Sequence, residues 1–479
     1  MRNRALRKRG PSRVLVRAAF AALVAGFLAA CQTTPTAPPK LDLPAATTGD
    51  LRLERWWKDF NDPALTTLVD EALAHNLDLE AALARIETAR AQVKLASADL
   101  YPSLGLGVDA SRSRVSQVGS LPVPSGFTTS SDYRVGLSAS YEVDLWGKYR
   151  TTTQAARNDL LASEFTRETV RTVVAAQVAR TYFDLVAADA QLALLEDTLK
   201  LREQTLALQT DRERAGVIGD YDLAQAKAER DAVVADVAAA RRAVGDYESA
   251  LAMVVGRSPR DVYTPKVVRT PSLERLVSVP SIPAGIPSDI LLRRPDVRAV
   301  EKQLAAASLR IDAARADYFP SLDLTGSLGS ESAALSKLFS GPAAIWSIGA
   351  ALTQPLIGLQ AIEANVEAQT ARRHELVVSY EQTVQSAFKD AHDALVEDAS
   401  ARASLAAQAA RTGNLREAFT LSDMRYQAGY SPYLEVLDAQ RQLLQAQTLE
   451  ILAARDVRLA VVDLAQALGG GWDYRHAVE

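Results

Sequence analysis

The sequence predicts a mostly α-helical chain with an internal two-fold repeat and four strands, two per repeat, whose alternation suits a soluble hairpin as well as a membrane β-barrel. Three observations carry this. Residues 148–215 contain neither Gly nor Pro, and residues 359–428 contain only Gly413, so two runs suit unusually long helices. Short segments elsewhere alternate apolar and polar residues with period two. Both kinds of segment occur twice, at a nearly constant offset.

At the N-terminus, Arg2, Arg4, Arg7, Lys8, Arg9, Arg13 and Arg17 precede an apolar run from Ala18 to Ala30. This predicts a signal peptide over 1–30. The run is too short to span a bilayer, and no other stretch reaches the roughly 18 apolar residues that a transmembrane helix needs. If the chain crosses a membrane, it does so as strands. The single cysteine, Cys31, excludes an internal disulfide framework. Leu28, Ala29, Ala30 and Cys31 resemble a bacterial lipobox, which implies cleavage before Cys31 and lipidation of its thiol. Gln32 rather than aspartate follows, which in the resembling lipoproteins goes with sorting to the outer membrane. Subtracting the seven signal charges from the formal −4 leaves about −11, which disfavours nucleic acid as a partner.

Residues 31–55 read as a lipidated linker, rich in Pro, Thr and Ala up to residue 50. The fold begins near Trp56, and the repeat follows. DLYPSLGLG at 99–107 returns as DYFPSLDLTG at 317–326, an offset of 218. Arg212, Ala215 and Gly216 return as Arg425, Ala428 and Gly429, and Leu251, Ala252 and Gly256 as Leu464, Ala465 and Gly469, both at 213. Such a period is far too long for a solenoid. Repeat 1 spans 56–256 and repeat 2 spans 288–469, with a proline-rich belt at 257–287 between them and a tail at 470–479.

Within each repeat the long helices, 148–215 and 359–428, would rise roughly 100 Å at 1.5 Å per residue. Return helices are expected at 221–256 and 433–468, and a further helix at 288–318. Alanine at many inward positions suits close helix approach in a helical barrel or coiled coil. Strands are expected at about 101–111, 133–143, 320–328 and 345–353. In the second, Tyr133, Val135, Leu137, Ala139, Tyr141 and Val143 interleave with Arg134, Gly136, Ser138, Ser140 and Glu142. Serine- and glycine-rich links at 114–132 and 331–344 read as solvent-facing loops. Tyr101, Tyr133, Tyr141, Trp146, Phe319 and Trp346 lie at or near strand ends, as an aromatic girdle requires. Only a closed barrel satisfies strand backbone in a bilayer, and small barrels begin at about eight strands. Four cannot close, so two, three or four copies would have to share one.

The runs YEVDLWGKYR (141–150), LLRRPDVRAVE (291–301) and RYQAGYSPYLEVLDAQRQL (425–443) resemble signatures of the TolC-like outer-membrane efflux proteins, in particular their lipoprotein, OprM/NodT-like branch. The resemblance covers nearly the whole mature chain. It implies a homotrimer with a twelve-stranded barrel continued by a long periplasmic helical barrel. It also implies three further partners: a periplasmic adaptor, an inner-membrane efflux pump of the RND type, and outer-membrane lipid. By the same resemblance the turns at Gly216 and Gly429 form the periplasmic tip, where Arg212, Gly216, Asp222, Gly429 and Ser431 would meet the adaptor. Leu434 and Asp438 would narrow the pore, with three copies of Asp438 forming an acidic ring. Arg425, Tyr426 and Arg441 would hold the tip shut. Val217, Ile218 and Gly219 stand where repeat 2 has Tyr430, Ser431 and Pro432, so the two tips differ. One departure is QPLIGLQAIEANV from Gln354, where the family often carries a Gly-Gly-Arg-like turn; it leaves the register of the fourth strand open.

An enzyme is disfavoured. His75, His374, His392 and His476 show no metal-ligand spacing, no GxSxG, HExxH or Walker motif occurs, and no cofactor is called for. GLGVDA at 105–110 lacks the third glycine of a dinucleotide loop. A structural coiled-coil lipoprotein would explain the helices and Cys31 but not two strand pairs at equivalent points of the repeats. A type I protein-secretion channel would share the fold and differ in cargo.

Overall fold

A computed structural model of the chain describes residues 37–39, 41, 53–118, 128–270 and 291–472. The signal peptide, Cys31, most of the linker, belt residues 271–287 and tail residues 473–479 lie outside the described residues. In order, a 3-10 turn at Trp56–Phe60 leads to helices α1 (Pro63–His75) and α2 (Leu77–Ala98) and then strands β1 (Ser103–Arg114) and β2 (Thr129–Glu142). Helices α3 (Lys148–Arg214), α4 (Asp220–Val255), α5 (Pro259–Tyr263) and α6 (Pro295–Ala316) follow. Strands β3 (Ser321–Ser332) and β4 (Ala344–Thr353) and helices α7 (Gln360–Gln427) and α8 (Tyr433–Ala467) complete the chain.

Two compact units emerge. The first comprises residues 92–158 and 304–375 besides the N-terminal stretch; the second comprises 39–91, 159–303 and 376–479. The first unit is built on one four-stranded antiparallel sheet in the order β1-β2-β3-β4. β1 and β3 run past the apolar alternation that located them. Backbone pairing continues through serine and arginine to Arg114↔Thr129 and to Tyr133↔Ser332, so the ladder rather than the side chains sets strand length. The register left open by the sequence is now defined, with Ser321 opposite Thr353 and Leu328 opposite Trp346.

In the second unit the core gathers Trp56, Trp57 and Phe60 with Leu65 and Val69 of α1, Val174, Val178, Tyr182, Phe183, Leu185 and Val186 of α3, Leu251 and Val255 of α4, and Val461, Val462 and Ala465 of α8. Alanines 175, 176 and 179 let α3 approach its neighbours closely. Asp62, itself 1% exposed, caps α1 by accepting from Ala64 N (2.9 Å) and Leu65 N (3.3 Å), with Pro63 at the first helical position. Its other oxygen accepts from the Tyr182 hydroxyl and from Thr270 Oγ1. Arg269 pairs with Asp189 and Glu248, so the entry to the belt is tied to α3, α4 and α1 at once.

Three expectations need adjustment. The helix expected over 288–318 is broken where it can be described: Leu291 is helical, residues 292–294 are not, and α6 runs from Pro295 to Ala316. Proline excludes the α conformation from the preceding residue and itself fits the first turn, while residues 288–290 lie outside the described residues. The belt opens with a short helix, α5, whose N-cap Ser258 accepts from Asp261 N. Leu41 of the linker is not free of the fold; it packs against the cluster of Val297, Tyr380, Val384 and Ala387.

Candidate functional site

The sheet separates its side chains by chemistry. One face carries Leu104, Leu106 and Val108, then Val135, Leu137 and Ala139, then Leu324 and Leu328, then Trp346, Ile348 and Leu352. It is open: Leu104, Val108, Trp346 and Ile348 are 78, 73, 73 and 84% exposed. The other face is mainly serine, glycine and charge. Asp109 lies opposite Arg134, which lies opposite Glu331 with an ion pair of 2.8 Å. Gly136 faces Gly329, where an added Cβ on Gly329 would come within 2.7 Å of the Gly136 Cα, so β2 and β3 approach too closely there for a side chain. β1 and β4 are the edges of this sheet, each with one paired neighbour.

The YEVDLWGKYR run is the joint between β2 and α3. Asp144 caps α3, accepting from Tyr149 N (3.2 Å) and Arg150 N (3.0 Å). Gly147 takes φ +78°. Trp146 stacks on Phe319 at 4.8 Å and donates to the Pro320 carbonyl at 2.8 Å, while Lys148 pairs with Asp317 at 2.7 Å. At the joint between β4 and α7, Gly358 also takes a positive φ, but Leu356 and Ile357 are 82 and 94% exposed.

LLRRPDVRAVE is likewise a joint. Arg294 donates to Asp296 (2.8 Å), to Asp390 on α7 (3.3 Å) and to the Ala467 carbonyl at the end of α8 (3.0 Å). Burial, the largest single effect, would lower its pKa, but Asp296 and Asp390 together outweigh it and raise the guanidinium above its ordinary value.

At the far ends of the long helices, α3 and α7 stop on the same device. Val217 N returns to Arg212 O and Gly216 N to Glu213 O; Tyr430 N returns to Arg425 O and Gly429 N to Tyr426 O. The glycines adopt φ +68° and +75°. Each is a Schellman close, which needs a left-handed residue after the last turn.

Three ties bind the hairpin α3–α4 to the hairpin α7–α8 near these turns. The Tyr426 hydroxyl accepts from Arg212 at 2.5 Å and from Gln209 at 3.1 Å, and the Arg212 guanidinium also lies over the Tyr426 ring at 5.2 Å. Arg202 donates to Gln440. Arg441 pairs with Glu229, which also faces Arg202 at 3.6 Å. Burial pushes the Arg202 guanidinium below its ordinary pKa, with Glu229 opposing, and it pushes the Tyr433 phenol up.

The structure thus sorts the residues expected at the tip. Tyr426 and Arg441 make interhelical bonds, whereas Arg425 is exposed and its backbone carbonyl alone is engaged by the turn. The partner of Tyr426 is Arg212, expected instead at the adaptor surface. Asp222 stands in the first turn of α4, where it favours the positive end of the helix dipole. The Ser431 hydroxyl is shielded from solvent. Leu434 and Asp438 lie one turn apart on the exposed face of α8, away from the buried Tyr433, Val436 and Leu437, and Gln442 donates to Asp438 at 2.6 Å. Sequence reasoning missed Gln209, Arg202, Glu229 and Gln440, which sit mid-helix among many similar polar residues. Val217 and Tyr430, named from the sequence only as a difference between the two turns, are 69 and 80% exposed, and Tyr221, not singled out, is 71% exposed. The residue directly after the glycine of a Schellman close is often apolar, so residue type alone carried no signal there.

Comparison with known proteins places these features. The sequence matches the outer membrane efflux protein family at residues 68–257 and again at 286–470. Outer membrane protein OprJ of Pseudomonas aeruginosa is 35% identical over 467 residues, 95% of each chain. The cation efflux system protein CusC of Escherichia coli is 33% identical over 419 residues, covering 87% of this chain and 88% of CusC. The CmeC outer membrane channel of Campylobacter jejuni superposes with a TM-score of 0.85 at 27% identity, over 92% of this chain and 97% of CmeC. The chain belongs to the outer membrane efflux protein family and is the outer-membrane channel component of an efflux system.

Proposed function

We propose that three copies of the chain share one twelve-stranded barrel in the outer membrane, continued by a periplasmic barrel of helices. Together they passively conduct small molecules delivered by an RND-type inner-membrane pump through a periplasmic adaptor. The observation that carries this reading is the four-stranded sheet with an exposed apolar band on one face and two edges. Its edge backbone groups can enter hydrocarbon only if other copies pair them. A duplicated ancestry supports the equivalence of the two halves: the family matches the chain twice, and the glycines at 216 and 256 with positive φ recur 213 residues later at 429 and 469.

In this reading the polar face lines the lumen. The helix turns form the tip, held shut by the Tyr426–Arg212, Arg202–Gln440 and Arg441–Glu229 ties. Three copies of Leu434 and Asp438 narrow the pore and favour cations. The exposed residues beside Gly216 and Gly429, Val217, Tyr221 and Tyr430 above all, offer the adaptor an apolar seat. Lipidated Cys31 anchors the chain to outer-membrane lipid. The cargo is a small molecule: only three methionines and four histidines give no support to metal handling, even though CusC belongs to a cation efflux system. Native mass spectrometry of the detergent-extracted protein tests the assembly; three chains are expected, and a monomer that retains its fold would overturn it.

A further inference from the structure

The two halves of the chain meet along the β2–β3 seam, and the duplication says what the opposite edges do. Ser103 opposite Ser140 in repeat 1 corresponds to Ser321 opposite Thr353 in repeat 2, so β1 maps onto β3 at an offset of 218 and β2 onto β4 at 213. Applying these offsets to the observed β2–β3 pairs converts an internal seam into one between copies. Resting on the shared-barrel reading above, we propose that β4 of one copy pairs antiparallel with β1 of the next in a defined register. Ile348 stands opposite Arg112, Ala350 opposite Ala110, and Leu352 opposite Val108.

The repeat offsets keep the faces in step, so Ala350 and Leu352 meet Ala110 and Val108, and a shift by one residue would break this. Other features support the register independently. Trp346 falls opposite Arg114, whose guanidinium can lie over the indole. Gly136, which needs close approach to β3, maps onto another glycine, Gly349. Beyond the strands, repeat 2 has two residues fewer between the residue that ends its hairpin pairing and its turn glycine: Thr353 to Gly358 against Ser140 to Gly147. The joint therefore maps at 211, bringing Ile357 onto Trp146. Phe319 maps back onto Tyr101. Within one chain Trp146 and Phe319 stack, whereas Ile357 and Tyr101 are 94 and 71% exposed, as two halves of a contact completed by a second copy would be.

The seam between copies differs from the internal one in a definite way. Arg134 and Glu331, paired at 2.8 Å, become Ser347 and Ser113; Lys148 and Asp317, paired at 2.7 Å, become Leu359 and Asp99. Gly329 becomes Ser111, so the backbones approach less closely at that level. The barrel therefore has three internal seams carrying ion pairs and three between copies that hold by backbone pairing and apolar contact, and it parts along the latter.

Cysteine pairs in the full-length protein, expressed in its own outer membrane and oxidised before denaturing electrophoresis, test the register. Ile348→Cys with Arg112→Cys should give covalent dimers and trimers at least five-fold more efficiently than Ile348→Cys with Ala110→Cys or with Arg114→Cys. Ser138→Cys with Ser327→Cys, opposite each other in the internal seam, is the intrachain control. If a shifted pair wins, the register is overturned while the shared barrel stands. If the control closes and no interchain pair does, strand sharing itself fails. Separately, Ser347→Arg with Ser113→Glu should raise the temperature at which the detergent-resistant oligomer dissociates, and Ser347→Arg with Ser113→Arg should lower it. No difference between the two variants would contradict the seam.

Discussion

Replacing Tyr426 by Phe removes one oxygen and leaves the helices otherwise intact. That oxygen accepts from Arg212 at 2.5 Å and from Gln209 at 3.1 Å, and Gln209 is 1% exposed with its carbonyl oxygen already lacking a partner. A hydrogen bond to a charged group contributes about 1.5–3 kcal/mol, and stranding a buried amide donor costs about 1–3 kcal/mol. Arg212 is only partly buried, so screening pulls the sum down to about 2 kcal/mol per chain, roughly thirty-fold in the local equilibrium. The guanidinium can still lie over a phenyl ring, so Arg212→Ala, which loses that contact as well, should cost about 1 kcal/mol more. Arg425→Ala should stay within about 0.5 kcal/mol, because that side chain is exposed. The assay is uptake of a large hydrophilic antibiotic by cells that lack their own channel of this family and express each variant to equal level. Tyr426→Phe and Arg212→Ala should admit it and Arg425→Ala should not. Equal exclusion by all three would refute the claim that this tie holds the tip shut.

Other consequences concern the frame. Arg294→Ala would strand Asp296, Asp390 and the Ala467 carbonyl, and should lower stability by about 2–3 kcal/mol in denaturant titration of the detergent-solubilised protein; Arg294→Lys should recover less than half, since one ammonium cannot reach all three groups. Gly256→Ala should prevent assembly, because its Cβ would overlap the His75 carbonyl as well as straining a φ of +86°, whereas Gly216→Ala, with open space around it, should cost only about 1–2 kcal/mol, measured the same way. Burial raises the Asp184 carboxyl above its ordinary 3.8, with Arg455 opposing and Asp456 reinforcing. The folded chain then holds that proton more tightly than the unfolded one, so the stability due to Asp184 declines as pH rises through the raised value. Asp184→Asn should flatten that decline in melting temperature between pH 4 and pH 7, and parallel curves for the two proteins would contradict it.

The long helices could be read from the sequence because nothing in them breaks a helix, and their ends because a Schellman close calls for glycine where 216 and 429 supply it. Strand existence could be read from alternation, but strand length could not: Ser111–Arg114 and Gly329–Ser332 pair through backbone groups that every residue carries. The family signatures pointed to the right places for partly different reasons. In YEVDLWGKYR and LLRRPDVRAVE, the conspicuous residues Asp144, Trp146 and Arg294 cap and join elements. Around the tip, Tyr426 was legible but its partner was not. Arg212 and Arg425 each stand four residues before a turn glycine, and only packing decides that Arg212 turns toward Tyr426 while Arg425 stays in solvent. Glu229, between Arg202 and Arg441, is one acid among many on a helix and becomes distinct only when three helices converge on it.

Conductance of the purified, full-length protein in a planar bilayer under a salt gradient, wild type beside Asp438→Ala, tests the channel most directly. The account predicts discrete small openings with a cation-favouring reversal potential that moves toward zero in Asp438→Ala. A folded oligomer that never conducts, even after Tyr426→Phe and Arg212→Ala release the tip, would contradict it.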